Sequence, residues 1–122
     1  MPFKKILKEL TEKTGASGAI LLDRDGEAVD SFVTSSGLEL KAIGAHKGII
    51  LNMLKDAQNR ANGGGEVCSI GITTKNARLA ISAMKDGYYL VVTLERENGN
   101  GSFGKVFLEA KKAIGAIERE MG

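Results

Sequence analysis

The chain reads as an α+β domain in which helices cover both faces of one five-stranded, mainly antiparallel sheet. Three observations predict this. A strand–turn–strand pattern, Gly15-Ala16-Ser17-Gly18-Ala19-Ile20-Leu21-Leu22-Asp23-Arg24-Asp25-Gly26, follows directly on an amphipathic helical stretch. A long helical pattern then ends at Gly63-Gly64-Gly65, and three strand-length runs follow with short turns between them. A last amphipathic stretch closes the chain. The order is helix, two strands, helix, three strands, helix, with no internal repeat. At 122 residues the sequence fits one domain, 1–122.

Each element has its own signal. Phe3, Ile6, Leu7 and Leu10 recur at helical spacing, while Lys4, Lys5, Lys8, Glu9 and Glu12 fill the rest of the wheel. Thr14-Gly15 ends that helix with a glycine suited to a left-handed cap. Residues 19–22 form a short apolar run. Asp25-Gly26 is a pair that tolerates the positive φ of a two-residue hairpin turn, and residues 28–33 resume as the second strand. Ser35-Ser36-Gly37 is a break, and either serine can cap the next helix. That helix is expected over residues 38–62. Strands are expected over 67–73, 79–84 and 88–94, with turns at Lys75-Asn76 and Asp86-Gly87. The last of these is apolar on both faces, which predicts a central strand buried on both sides. Residues 96–101 are a polar, glycine-rich loop. Ser102 can cap a final helix with the apolar face Phe103, Val106, Phe107, Ala110, Ile114, Ile117 and Met121.

Composition narrows function by exclusion. Seventeen Lys and Arg against fifteen Asp and Glu give a formal net charge of +2, and the two signs interleave in both terminal helices. A nucleic-acid binder concentrates basic residues on one face, so no nucleic-acid partner is expected. The single cysteine, Cys68, cannot close an intramolecular disulfide. It alternates with Ile70 and Ile72, as a small core residue does. With one histidine, His46, a His/Cys zinc site is not available within one chain. His46 has no companion nucleophile or carboxylate at a telling spacing and reads as structural. The N-terminus lacks the apolar core of a signal peptide, and no apolar run approaches the roughly 18 residues of a membrane span. A cytoplasmic protein without membrane insertion is expected, with no catalytic residue, no cofactor and no metal site, and no enzyme is read from these residues.

Two motifs invite a richer reading and do not sustain it. Gly99-Asn100-Gly101-Ser102-Phe103-Gly104-Lys105 matches phosphate-cradling patterns. However, Val106 stands where a magnesium-holding hydroxyl belongs. No later strand remains to bring a carboxylate, and the preceding strand opens no parallel βαβ unit. Asp23-Arg24-Asp25-Gly26 resembles the start of a calcium loop, but Thr34 occupies the position that needs an acid. A turn is the expected role.

The middle helix carries the least ordinary pattern. At about 100° per residue, Ile43, Ile50, Leu54, Ala57 and Ala61 share the face that covers the sheet. The opposite face holds Lys41, Gly44, Ala45, Gly48, Asn52, Lys55 and Asn59. Mid-helix glycine costs about 1 kcal/mol relative to alanine, and a merely solvated face would carry Lys or Glu. Ala42, Ile49 and Met53 extend the apolar arc along one flank. Small residues at the centre and apolar ones beside them point to close approach by a partner. The plainer alternative is that the glycines are merely tolerated or touch a loop of the same chain.

These stretches resemble the Roadblock/dynein light chain family, and within it the bacterial, single-domain MglB-like branch. The match is carried by the opening hairpin, by Gly63-Gly64-Gly65-Glu66-Val67-Cys68-Ser69-Ile70-Gly71-Ile72-Thr73-Thr74, and by Asp86-Gly87-Tyr88-Tyr89-Leu90-Val91-Val92-Thr93-Leu94 with Phe103-Gly104-Lys105-Val106. Together they span nearly the whole chain. The resemblance implies a homodimer in which middle helices lie side by side and third strands pair. Here that assigns the dimer interface to Ala42, Ile49, Met53, Val67, Ser69 and Gly71. It also implies a Ras-like small GTPase docking on the paired helices, at Lys41, Gly44, Ala45, Gly48, Asn52 and Lys55. Activation of GTP hydrolysis would proceed without a supplied arginine finger. Two alternatives stand beside this: a small-ligand sensor of profilin-like architecture, which needs an internal pocket with convergent polar groups, and a non-catalytic dimeric scaffold.

Overall fold

The structure is a computed structural model that describes residues 2–34, 56, 59–60, 69–73, 77–95 and 103–121. Helix α1 (Pro2–Thr14) leads into strands β1 (Gly18–Leu22) and β2 (Ala28–Val33). Strands β3 (Ser69–Thr73), β4 (Ala77–Ala83) and β5 (Tyr89–Glu95) follow, and helix α2 (Phe103–Met121) comes last. The sheet order is β2-β1-β5-β4-β3. All four pairings are antiparallel.

The apolar run at Tyr89–Glu95 explains the order. Leu90, Val91, Val92, Thr93 and Leu94 are all buried, as expected of the strand in the middle of a sheet covered on both faces. Residue alternation divides these side chains between two packed layers. On one face, Ala19, Leu21, Ala80, Leu90, Val92 and Leu94 pack against Leu7 and Leu10 of α1 and Val106, Ala110, Ala113 and Ile117 of α2. Both terminal helices therefore cover the same face. They run antiparallel, because Phe3 shares a cleft with Met121 and Lys13 shares another with Glu109. On the other face, Ile20, Leu22, Ile81 and Val91 are buried, with Ile70, Ile72, Leu79 and Tyr89 packed around them. The helix assigned to that face by its sequence pattern lies almost wholly outside the described residues. Of it, Asp56, Asn59 and Arg60 are helical, and Arg60 pairs with Asp56 at 3.0 Å.

The first hairpin corrects the expected turn. The Asp25-Gly26 pair does not make a two-residue loop. Asp23 N–H donates to Glu27 O at 2.9 Å and Gly26 N–H to Asp23 O at 2.9 Å, while Gly26 alone takes a positive φ, of 82°. This is a three-residue loop closed by a left-handed glycine. Asp23 holds this loop form, its Oδ1 accepting from Asp25 N–H at 2.9 Å and Glu27 N–H at 3.0 Å. The other aspartate–glycine pair also lies in a three-residue loop, closed by Met84 N–H donating to Tyr88 O at 2.8 Å, but with a different backbone. Asp86 at φ 60° and Gly87 at φ 78° link β4 to β5, with Tyr88 N–H donating to Lys85 O at 3.3 Å.

Candidate interaction site

The described part of the expected interface is the β3 edge. Strand β3 pairs with β4 through Ile70 against Ile81 and Ile72 against Leu79, and it ends the sheet order. Its pattern alternates: Ser69, Gly71 and Thr73 are exposed, Ile70 and Ile72 half-buried. Ile70 and Ile72 anchor the strand to the second apolar layer. Gly71, at its midpoint, leaves the outer face without a side chain. Ser69 Oγ lies 3.5 Å from the buried Ser82 Oγ, a contact that ties the start of the strand to β4. Between Ser69 and Thr73 there is no charge and no proline, two of the devices that ordinarily protect an edge from pairing with another chain. What these five residues can do is accept a strand.

The opposite edge is treated differently. On β2 the register shifts opposite Leu21/Leu22, so Val29 is an extra, bulged residue. Asp30 stands beside the bulge with its side chain 9% exposed, and Lys4 of α1 reaches its Oδ1 at 3.4 Å. Lys4 Nζ also donates to Ser31 O at 2.6 Å. Ser31 N–H donates to Asp30 Oδ1 at 2.9 Å.

Of the residues assigned to the interface by sequence, Ser69 and Gly71 sit on the β3 edge, both exposed. Val67, Ala42, Ile49 and Met53 lie outside the described residues, as do Lys41, Gly44, Ala45, Gly48, Asn52 and Lys55 on the expected partner face, together with His46, Cys68 and residues 99–102 of the glycine-rich loop. Lys105 is an exposed residue in the first turn of α2. The sequence reading missed the Lys4–Asp30–Ser31 cluster. Its one available signal was an acid in the middle of a strand, since Lys4 looks like any cation on a solvated helix face.

Buried polar groups among the described residues do not converge on a ligand. Thr11 and Thr14 return their hydroxyls to Leu7 O and Leu10 O, both at 2.8 Å, and Thr93 Oγ1 donates to Gly18 O at 3.4 Å. Two clefts lie at helix surfaces. One of about 190 Å³ runs between α1 and α2, edged by Glu9, Lys13, Glu109 and Lys112. The other, of about 390 Å³, opens where the helix ends meet the turns, beside Arg24, Lys85 and Asp86. Neither has the convergent polar lining between sheet and helix that a sensor needs. No helix among the described residues is long and apolar enough to cross a membrane.

Comparison with known proteins agrees with this architecture. The model of the Roadblock/LC7 domain matches residues 2–94. A solved structure described as MglB with tetrameric arrangement superposes with a TM-score of 0.82 at 21% identity, over 97% of this chain and 86% of that one. The gliding protein MglB from Thermus thermophilus gives 0.81 at 21% identity, over 96% and 86%. Myxococcus xanthus MglB gives 0.77 at 17% identity, over 99% and 95%. At these identities the likeness is one of fold. No curated protein matches by sequence.

Proposed function

The chain belongs to the Roadblock/LC7 family, and on that footing we propose that it is a homodimeric regulator of a Ras-like small GTPase. The observation that carries the reading is the β3 edge: five residues without charge or proline, at the end of the sheet order. Pairing of two such edges joins two sheets into one and brings the flanks at Ala42, Ile49 and Met53 together, beside Val67, Ser69 and Gly71. The face at Lys41, Gly44, Ala45, Gly48, Asn52 and Lys55 then forms the platform for the GTPase. Its small residues allow close approach. The chain works there by holding the GTPase's own residues in the hydrolytic arrangement, without adding an arginine of its own. The superposition with MglB structures supports this reading.

The test pairs sedimentation with binding. Wild-type protein should sediment as a dimer at micromolar concentration and retain GTP-analogue-loaded Ras-like GTPases from its own genome. Gly48→Arg should keep the dimer and the melting temperature and lose the GTPase, because an uncompensated charge in a close contact costs several kcal/mol. A monomeric wild type defeats the dimer. Retention of the GTPase by Gly48→Arg places the platform elsewhere. Unfolding of that variant makes Gly48 a packing residue within the chain.

A further inference from the structure

The two ends of the sheet differ in a way that the dimer reading does not require. Thr34 N–H donates to Ser17 O at 2.9 Å, which fixes the phase of β2. Alternation then turns the backbone groups of Thr34, Phe32 and Asp30 toward β1, and those of Val33 and Ser31 outward. Ser31 is thus the central outward-facing residue of an edge that no other described strand pairs, and it offers one donor and one acceptor to any incoming strand.

Both are already taken. The Ser31 N–H is held by Asp30 Oδ1 at 2.9 Å and the Ser31 carbonyl by Lys4 Nζ at 2.6 Å. Lys4 closes the cluster on Asp30 at 3.4 Å. Asp30 is a costly residue for this position. Its Oδ2 is buried with no hydrogen-bond partner among the described residues, and a polar atom left so costs about 1–3 kcal/mol. Neither the packing of β2 nor its pairing with β1 needs a carboxylate there. What the carboxylate does achieve is to occupy the outward donor and to hold the lysine that occupies the outward acceptor. The neighbouring bulge at Val29 breaks the regular spacing that a partner strand would follow.

We propose that Lys4, Asp30 and Ser31 form an assembly stop, which closes the β2 edge to a second copy of this chain and leaves β3 as the one edge open to strand pairing. Without it, each protomer presents two pairing edges. Strand addition then runs on from copy to copy in place of ending at a closed pair, the open-ended growth expected of contacts that no symmetry closes. The occupant excluded is another copy rather than a foreign peptide, because the same molecule carries the complementary open edge at every concentration. The stop concerns the opposite edge from the proposed dimer contact and holds whatever β3 pairs with.

The experiment compares the full chain with Lys4→Ala/Asp30→Ala by sedimentation velocity across a concentration series, with circular-dichroism melting alongside. The double variant should melt cooperatively and reach at least twice the wild-type mass, increasing with concentration. Adding Ser31→Pro to it removes the outward N–H and should restore the wild-type mass. An unchanged mass in the folded double variant overturns the proposal, and so does extra association that survives Ser31→Pro, since it then runs through another surface. Amide exchange in the wild type gives a reading that no variant's folding can confound. Ser31 should exchange at least about 10-fold more slowly than an unprotected amide. Exchange at the unprotected rate overturns the proposal. A wild type that sediments as a monomer would defeat the dimer reading while leaving this comparison intact, because each variant is scored against the wild-type mass.

Discussion

Gly71→Asp tests the β3 edge directly. Gly71 is the midpoint of Ser69–Thr73 and is exposed; in the proposed dimer, a two-fold axis through the strand's centre sets residue 71 against its twin. Directly opposed residues of an antiparallel pair have Cβ atoms about 5 Å apart. Two carboxylates at that distance repel by roughly 0.8 kcal/mol in bulk water and roughly 3 kcal/mol at the effective dielectric of a protein surface. The dimer constant should therefore weaken by about 4-fold to about 200-fold. Protomer stability should change by less than about 1 kcal/mol, since the position is exposed and glycine is a poor strand residue in any case. Sedimentation equilibrium at 50 mM and 500 mM salt is the assay, and salt should recover part of the loss. The decisive arm is a mixture. Gly71→Asp and Gly71→Lys should each dissociate alone and associate together, because opposite charges then face each other across the axis. Equal dimer constants for wild type and Gly71→Asp, or a mixture no tighter than its components, would refute pairing through this strand.

Four further outcomes are expected. Gly18→Ala should destabilise by about 1–3 kcal/mol in chemical denaturation, because an added Cβ meets Phe32 O at 3.0 Å and Val33 Cγ2 at 3.2 Å. Leu90→Ala, at a site with no exposed surface on the central strand, should cost about 2–5 kcal/mol by the same measurement. Thr11→Val should cost less than about 1 kcal/mol despite complete burial, since the Thr11 hydroxyl only doubles up on Leu7 O, a carbonyl within its own helix. Isothermal titration with GTP and ATP should show no micromolar binding, and Lys105→Ala should leave folding and partner retention unchanged. Saturable binding abolished by that variant would restore the phosphate-loop reading.

How far the sequence speaks depends on how local each signal is. The unbroken apolar run at residues 88–94 places β5 at the centre without further help. The spaced leucines and isoleucines of the terminal helices identify the faces that bury Leu7, Leu10, Val106, Ala110 and Ile117. The edge position of β3 comes from the family resemblance, since a short, uncharged pattern does not by itself mark an edge. The hairpin turns are less legible, because two aspartate–glycine pairs with the same local preference take different backbones, and the side chain of Asp23 holds one of them from two residues before. The Lys4–Asp30–Ser31 cluster is legible only as an acid in the middle of a strand. Its two charged members stand far apart in the chain, and each has an ordinary explanation alone. Only the packing of α1 across the end of β2 brings them together.

The placement of α1 and α2 on the same sheet face has a consequence for synthesis. Strand β1 needs β5 as a neighbour, and the apolar stripe of α1 shares its cover with α2 through Leu7, Leu10, Ala110, Ala113 and Ile117. Synthesis must therefore proceed through α2 before α1 can be sealed. Until then Phe3, Ile6, Leu7 and Leu10 are a greasy strip on a nascent chain, open to chaperones and to other chains. Stalled or truncated products lacking the last two turns of α2 should accordingly be sticky rather than merely less stable, and the nascent protein has reason to be handled as a whole.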